Sequence, residues 1–280
     1  MQHTIKHAIT ITGIGVHSGQ QVNIRIIPAA ENTGVVFKRV DLSGNILIPA
    51  TYQYIQNTKS CTTLSNNGAS ISTVEHLLSA FAGLQVDNAV VTVDAAELPV
   101  LDGSAMVFAD AIKKEGVVQQ TAPRNILALD QEIKIIDGDQ YIIAKPYSGL
   151  RLNCTITYDH PLFTADTNQF IFDAQVEDYM ALCAPARTYG FLRDYEYLLK
   201  NNLAKGASLD NTVVFADDVV KNPDGLRFPN ECARHKVLDL MGDLYLFGRP
   251  ILAEIVAYKP SHSLNAKLVN KLAEIYDIAT

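Results

Sequence analysis

The chain has 280 residues, 48% of them hydrophobic, and a formal net charge of −7. That length and apolar content support one large domain or two ordinary ones with a sizeable core, and exclude a disordered chain. The acidic balance, with a pI near 5.5, excludes a broad nucleic-acid footprint, so an anionic ligand needs a local basic pocket.

Residues Met1 to Thr12 alternate in polarity and read as a first strand rather than a signal peptide. Residues 4–56 are β-rich, with strands at Gln21 to Ile27 and Val35 to Arg39. Turns are expected at Gly13, Gly19, Asn32-Thr33-Gly34 and Ser43-Gly44-Asn45. From Thr73 to Ala82, the residues Val74, Leu77, Leu78 and Phe81 give a helical stripe, with Gly83 as the expected C-cap. A strand at Asn88 to Asp94, a loop at Leu98 to Ser104 and a helix to about Lys114 follow.

Residues 116–125 read as a linker, after which the same order of elements recurs. Strands are expected over 126–158 with a turn at Asp137-Gly138-Asp139, and helices over 173–184 and 230–247. A strand at Ile251 to Tyr258 and a helix at Ser263 to Tyr276 close the chain. The second half holds an extra segment, 190–222, with a helix near Asp194 to Asn201 and a strand near Asn211 to Asp217. Strands, helix, strand, helix in each half predict two related α+β domains, although no residue-level repeat proves duplication. The stretch Leu244 to Tyr258 is broken by Gly248, Arg249, Pro250 and Glu254, so no segment has the length of a membrane span. Cys61, Cys154, Cys183 and Cys232 are scattered without a CxxC pair and read as reduced thiols.

The most informative run is Arg234 to Asp243. In a helix, His235, Asp239 and Asp243 share one face, and Val237, Leu238, Met241, Leu244 and Tyr245 fall on the other. Imidazole and carboxylate at i and i+4 can reach one cation, although such a pair also suits a solvated helix face. Glu75 and His76 project together from the first-domain helix, away from its apolar stripe. Ser72-Thr73-Val74-Glu75 equally matches a capping box in which Glu75 only caps. His262 follows a strand, where loops often carry function. Lys236 and Lys259 flank these groups and suit an anion.

Six motifs stand in order: Gly13-Ile14-Gly15-Val16-His17-Ser18-Gly19, Ser72-Thr73-Val74-Glu75-His76-Leu77, Leu101-Asp102-Gly103-Ser104-Ala105, Ala186-Arg187-Thr188-Tyr189-Gly190-Phe191, Arg234-His235-Lys236-Val237-Leu238-Asp239 and Tyr258-Lys259-Pro260-Ser261-His262. Through them the chain closely resembles, from end to end, the UDP-3-O-acyl-N-acetylglucosamine deacetylases, zinc enzymes of bacterial lipid A synthesis. The resemblance implies two similar βααβ sandwich domains, 1–121 and 122–280, with the active site in the cleft between them. It implies one Zn²⁺ held by His76, His235 and Asp239, with Glu75 as general base, His262 as general acid, Thr188 as oxyanion donor and Asp243 supporting His262. Lys236 matches a residue near the substrate's phosphates, and Tyr158 an aromatic that stacks on uracil. The segment 190–215, with Phe191, Leu192, Leu198, Leu203, Ala204, Ala207 and Ser208, matches an insert that forms an acyl passage.

The implied reaction is hydrolysis of the N-acetyl group of an acylated UDP-sugar in the cytoplasm of a Gram-negative bacterium. The implied enzyme is monomeric, with no nucleic-acid partner and no stable membrane insertion. Two features depart from the family: Gln140 stands where some relatives carry a lysine near the nucleotide, and Tyr189 replaces a common phenylalanine. Two histidines and a carboxylate would also make a non-haem iron oxygenase, and the fold could serve a non-catalytic sugar-nucleotide-binding protein. The HxxxD spacing and the neighbouring Glu75 favour hydrolysis.

Overall fold

A computed structural model describes residues 1–44 and 46–276. Asn45, the last residue of one expected turn, lies outside the described residues. The helices are α1 (Glu75–Gly83), α2 (Met106–Glu115), α3 (Tyr179–Leu182), α4 (Tyr195–Lys200), α5 (Glu231–Tyr245) and α6 (His262–Tyr276).

A five-stranded and a six-stranded sheet frame the molecule. The first runs in space Ile9–Ile14, Gln21–Pro28, Ala89–Val93, Val35–Arg39, Leu47–Pro49. Its neighbours are antiparallel except for the pair Ala89–Val93 and Val35–Arg39, which is parallel. Five strands of the second run Ile133–Asp137, Gln140–Pro146, Ile251–Tyr258, Leu150–Thr155, Gln169–Asp173, and along this path again only the third and fourth are parallel. The short strand Leu127–Ala128 adds to this sheet beside Ile251–Tyr258.

The same α+β topology therefore occurs twice. In each half one helix, α1 or α5, precedes the central strand and another, α2 or α6, follows it. A parallel neighbour requires such a crossover. Each sheet buries one face by simple alternation: Val22, Ile24 and Ile26 in one, and Ile251, Ala253, Ile255 and Ala257 in the other.

The two halves meet where α1 packs on α5. Twelve of the fifteen α5 residues are buried, on the polar stripe as well as the apolar one. A helix buried all round lies in a core, and its polar groups must find partners there. Gly242 permits the approach. A Cβ at that position would lie 2.8 Å from the Glu75 carbonyl carbon and 3.1 Å from its Cα, and closer still to the carbonyl oxygen.

Several expectations need correction. Residues 173–184 are not one helix. Phe170 and Phe172 alternate inward on the strand Gln169–Asp173, and the Asp178 carboxylate then caps the single turn α3. The linker is partly structured, because Val117–Gln119 pairs antiparallel with His3–Ile5. The expected first strand is thus two, His3–Ile5 and Ile9–Ile14. Gly83 is the last helical residue rather than a left-handed cap, and it is small because the Tyr179 ring lies against it. The inserted segment 190–222 forms α4 and a small sheet in which Tyr189–Phe191 runs parallel to Val213–Ala216.

Candidate active site

The capping box at the start of α1 does not form. Thr73 adopts a left-handed φ of 57° and its hydroxyl meets the Glu97 carboxylate at 3.2 Å. Glu75 turns away from Ser72, and its Oε2 accepts from the Thr62 amide at 3.1 Å. Nor is the polar face of α1 solvated. Glu75 and His76 are 3% and 4% exposed, because that face meets the polar stripe of α5.

This meeting brings three donors together from the two halves. One ligand-capable atom each from His76, His235 and Asp239 lies within 4.8 Å of the others. Asp239 Oδ1 is 3.3 Å from His235 Nε2 and 3.8 Å from His76 Nε2, and the two imidazoles meet edge-on at 5.1 Å. Asp239 Oδ1 is buried and has no hydrogen-bond partner among the described residues. A buried carboxylate oxygen left open toward two imidazole nitrogens fits a cation.

The surroundings prepare the donors for that task. The Ala186 carbonyl lies 3.0 Å from His235 Nδ1, which puts the proton there and leaves the Nε2 lone pair for a metal. Burial, reinforced by neighbouring His235, pushes His76 down to about 3, and burial also lowers His235, so both rings are neutral at pH 7. Burial alone would raise Asp239, but His235 and Lys236 beside it hold it well below the usual carboxylate range. The Lys236 ammonium sits 2.8 Å from Asp239 Oδ2.

Beside this cluster stand two proton-handling groups. His262 Nε2 is 3.7 Å from Glu75 Oε1. Burial pushes Glu75 up to about 7; His262 opposes that rise, while Asp243 and Asp239 add to it. Burial would lower His262, but Asp243 and Glu75 overcome it and raise the imidazole to about 9. Asp243 Oδ2 lies 2.8 Å from His262 Nδ1 and accepts from Asn265 at 2.8 Å. Thr62 donates its hydroxyl to Asp243 Oδ1 at 2.5 Å. Thr188 is held by its backbone to Gly103 and Val213, and its hydroxyl has no protein partner among the described residues. It lines the cavity with His76, His235 and Asp239.

That cavity has a volume of about 870 Å³ and runs from the three donors out to the inserted segment. Phe191, Leu192, Leu198, Ala204, Ala207 and Ser208 of the segment singled out in the sequence form part of its wall, and Tyr158 stands among them. Leu203 is not part of that wall, whereas Tyr197, Leu209 and Val214, which the sequence did not single out, are. The Tyr158 and Tyr189 hydroxyls bond each other at 2.7 Å, so the hydroxyl gained at Tyr189 ties the aromatic wall together. Lys259 pairs with Asp139 outside the cavity.

Buried supports also escaped the sequence reading. Glu231 binds the Arg187 guanidinium at 2.8 Å and the Arg187 amide at 3.0 Å, tying the loop that carries Thr188 to the start of α5. The signal was present, since Glu231 stands four residues before His235 and extends its stripe. Glu97 accepts from the amides of His17 and Ser18, both at 2.8 Å, and shapes the turn on which the inserted segment rests. Gly206 and Lys205 bond to the carbonyls of Val16 and His17 in that turn. Thr62 carried no signal, because its partners are distant in sequence.

The model of the UDP-3-O-acyl N-acetylglycosamine deacetylase (LpxC) family matches residues 2–274. The chain belongs to this family. It is 42% identical over 271 residues to a UDP-3-O-acyl-N-acetylglucosamine deacetylase of Coxiella burnetii, an alignment covering 97% of this chain and 89% of that protein. Deacetylases of the same name from a Shewanella species and from Pseudoalteromonas atlantica are each 43% identical, over 97% and 98% of this chain and 89% and 90% of theirs. All residues of the candidate site lie within the matched span.

Proposed function

We propose that this LpxC-family chain is a zinc-dependent amidase. Its reaction is hydrolysis of the N-acetyl group of UDP-3-O-((R)-3-hydroxyacyl)-N-acetylglucosamine to acetate and the free amine, the committed step of lipid A synthesis. One observation carries the reading: a His76–His235–Asp239 cation seat beside a base and an acid 3.7 Å apart, at the inner end of an apolar cavity. The halves 1–121 and 122–280 act as two domains, each supplying part of the site. A cytoplasmic, monomeric enzyme suits a nucleotide-linked substrate. Among the described residues no helix is long and apolar enough to cross a membrane.

Two neutral imidazoles and one carboxylate are a ligand set for catalytic zinc. When bound, the zinc supplies Lewis acidity, making water acidic near neutral pH and polarising the acetamide carbonyl. Glu75 takes the proton of the attacking water on Oε1, since Oε2 is occupied by the Thr62 amide. The Thr188 hydroxyl donates to the carbonyl oxygen as negative charge gathers there. His262 holds a proton at Nε2 and gives it to the departing nitrogen, while Asp243 fixes the ring through Nδ1. Lys236 offers its remaining donors to the phosphates, and the Tyr158 ring stacks on the uracil. The wall at Phe191, Leu192, Ala207 and Ser208 takes the acyl chain, where each buried CH₂ contributes about 0.8 kcal/mol.

Purified enzyme should release acetate and free amine in equal amounts from the acylated UDP-sugar, lose that activity on chelation and regain it with one zinc per chain. Oxygen consumption without acetate release would overturn the proposal. The pH dependence has a definite sign. Activity needs Glu75 ionised and His262 protonated, so kcat/KM should rise through about 7 and fall through about 9. A bound cation favours the ionised Glu75 and the neutral His262, shifting both limbs downward. A flat profile between pH 5 and 10 would contradict the two-group scheme.

A further inference from the structure

Thr62 touches both halves of the proton-transfer pair and none of the three metal donors. It is 1% exposed and precedes the strand Thr63–Asn66. Its amide donates to Glu75 Oε2 at 3.1 Å, and its hydroxyl to Asp243 Oδ1 at 2.5 Å. Its carbonyl accepts from Val74, the residue before α1, at 3.4 Å. All three polar groups of one small residue are thus committed to the site.

We propose that Thr62 is the positioning residue that sets the base Glu75 and the Asp243–His262 acid in register. The inference rests on the reading of Glu75 and His262 given above. Asp243 Oδ2 already serves His262 and Asn265, so among the described residues Thr62 supplies the one donor to Oδ1. With both oxygens held, the carboxylate plane is fixed and the His262 ring cannot swing with it. Without the hydroxyl, Oδ1 is a buried, unsatisfied acceptor that gains by rotating toward other donors. The amide does the matching work on Glu75, reserving Oε1 for the side that faces His262. Threonine suits this better than serine, because a β-branched side chain is stiff at χ1 and keeps its hydroxyl on Asp243.

The test compares Thr62→Val, which keeps shape and amide but removes the hydroxyl, with Thr62→Ser, which restores it. Misplacing a reacting group by an ångström can cost about 10²-fold, so Thr62→Val should lose about 10- to 100-fold in kcat with KM nearly unchanged. Thr62→Ser should recover most of that loss. A structural readout needs no substrate: the proton on His262 Nδ1, observed by NMR, should shift or broaden in Thr62→Val and keep its position in Thr62→Ser. If the valine variant does not accumulate, Thr62→Cys, a weaker donor of similar size, should show the same changes to a smaller degree. Wild-type kcat in Thr62→Val or Thr62→Cys, a serine variant as slow as valine, or an unmoved proton resonance would overturn the proposal. A wild-type enzyme that releases no acetate would instead overturn the functional reading, and the resonance would still report on Thr62.

Discussion

Glu75→Gln is expected to lower kcat by about 10²–10⁴ while metal content stays at one per chain. The substitution keeps the shape and the acceptor oxygen that meets the Thr62 amide, and removes only basicity. Glu75 is joined through a single peptide link to His76, a proposed metal ligand, and its carboxylate stands 3.7 Å from His262 across the site. A base so placed needs no rearrangement to reach water beside the metal donors. His262→Gln should cost a comparable factor, and the double variant should be far less impaired than the product of the two losses, since residues that act as a unit are not additive. Steady-state kinetics with metal analysis checks this. Loss of metal in Glu75→Gln would make Glu75 a ligand or a structural support, and unchanged kcat would remove it from the reaction.

Gly242→Ala should be nearly as damaging, by a different route. The added methyl would meet the backbone of Glu75 on the facing helix, with its carbonyl carbon at 2.8 Å and its Cα at 3.1 Å. Neither helix can yield locally, because both atoms belong to backbone rather than to a flexible side chain. The helices α1 and α5 must therefore separate by the better part of an ångström. Overpacking of this kind costs about 1–3 kcal/mol in stability. The larger effect falls on the site, whose donors are divided between these helices: His76 on one, His235 and Asp239 on the other. We expect kcat to fall by about 10²-fold and metal affinity to fall with it. Thermal unfolding, metal affinity and kcat measured on the one variant check this. An alanine variant with wild-type values for all three would show that the helices do not meet as described.

How much of this was legible in the sequence follows from which partners were local. The i, i+4 spacing of His235, Asp239 and Asp243 put three groups on one face of α5, and the structure keeps them there. The apolar stripe at Leu77, Leu78 and Phe81 located α1 to within two residues. Neither pattern could tell that both polar faces are buried, since each is covered by the other helix from the opposite half of the chain. For the same reason Glu75 read equally well as a cap. The competing partner, the Thr62 amide, becomes its neighbour only on folding.

The recurrence in the two halves was legible as an order of elements, and the matching strand order appears only in the hydrogen-bonded sheets. Residues 173–184 failed because the strand holding Phe170 and Phe172 runs into that span, and its short alternating run carries little periodic signal before the Asp178 cap. Of the neighbours Leu203 and Ala204, both named from the sequence, only Ala204 lines the cavity, because the chain turns there after α4.

The proposed zinc ion sits between two halves of the chain on His76, His235 and Asp239. The most direct test is an anomalous difference map, collected at the zinc edge, from crystals of enzyme carrying one zinc per chain. A single peak is expected about 2.0–2.2 Å from a nitrogen of each histidine and an oxygen of Asp239, with Glu75 and His262 near it but not bound to it. A peak at any other site, or one ligated by Glu75 in place of any of the three, would contradict this placement.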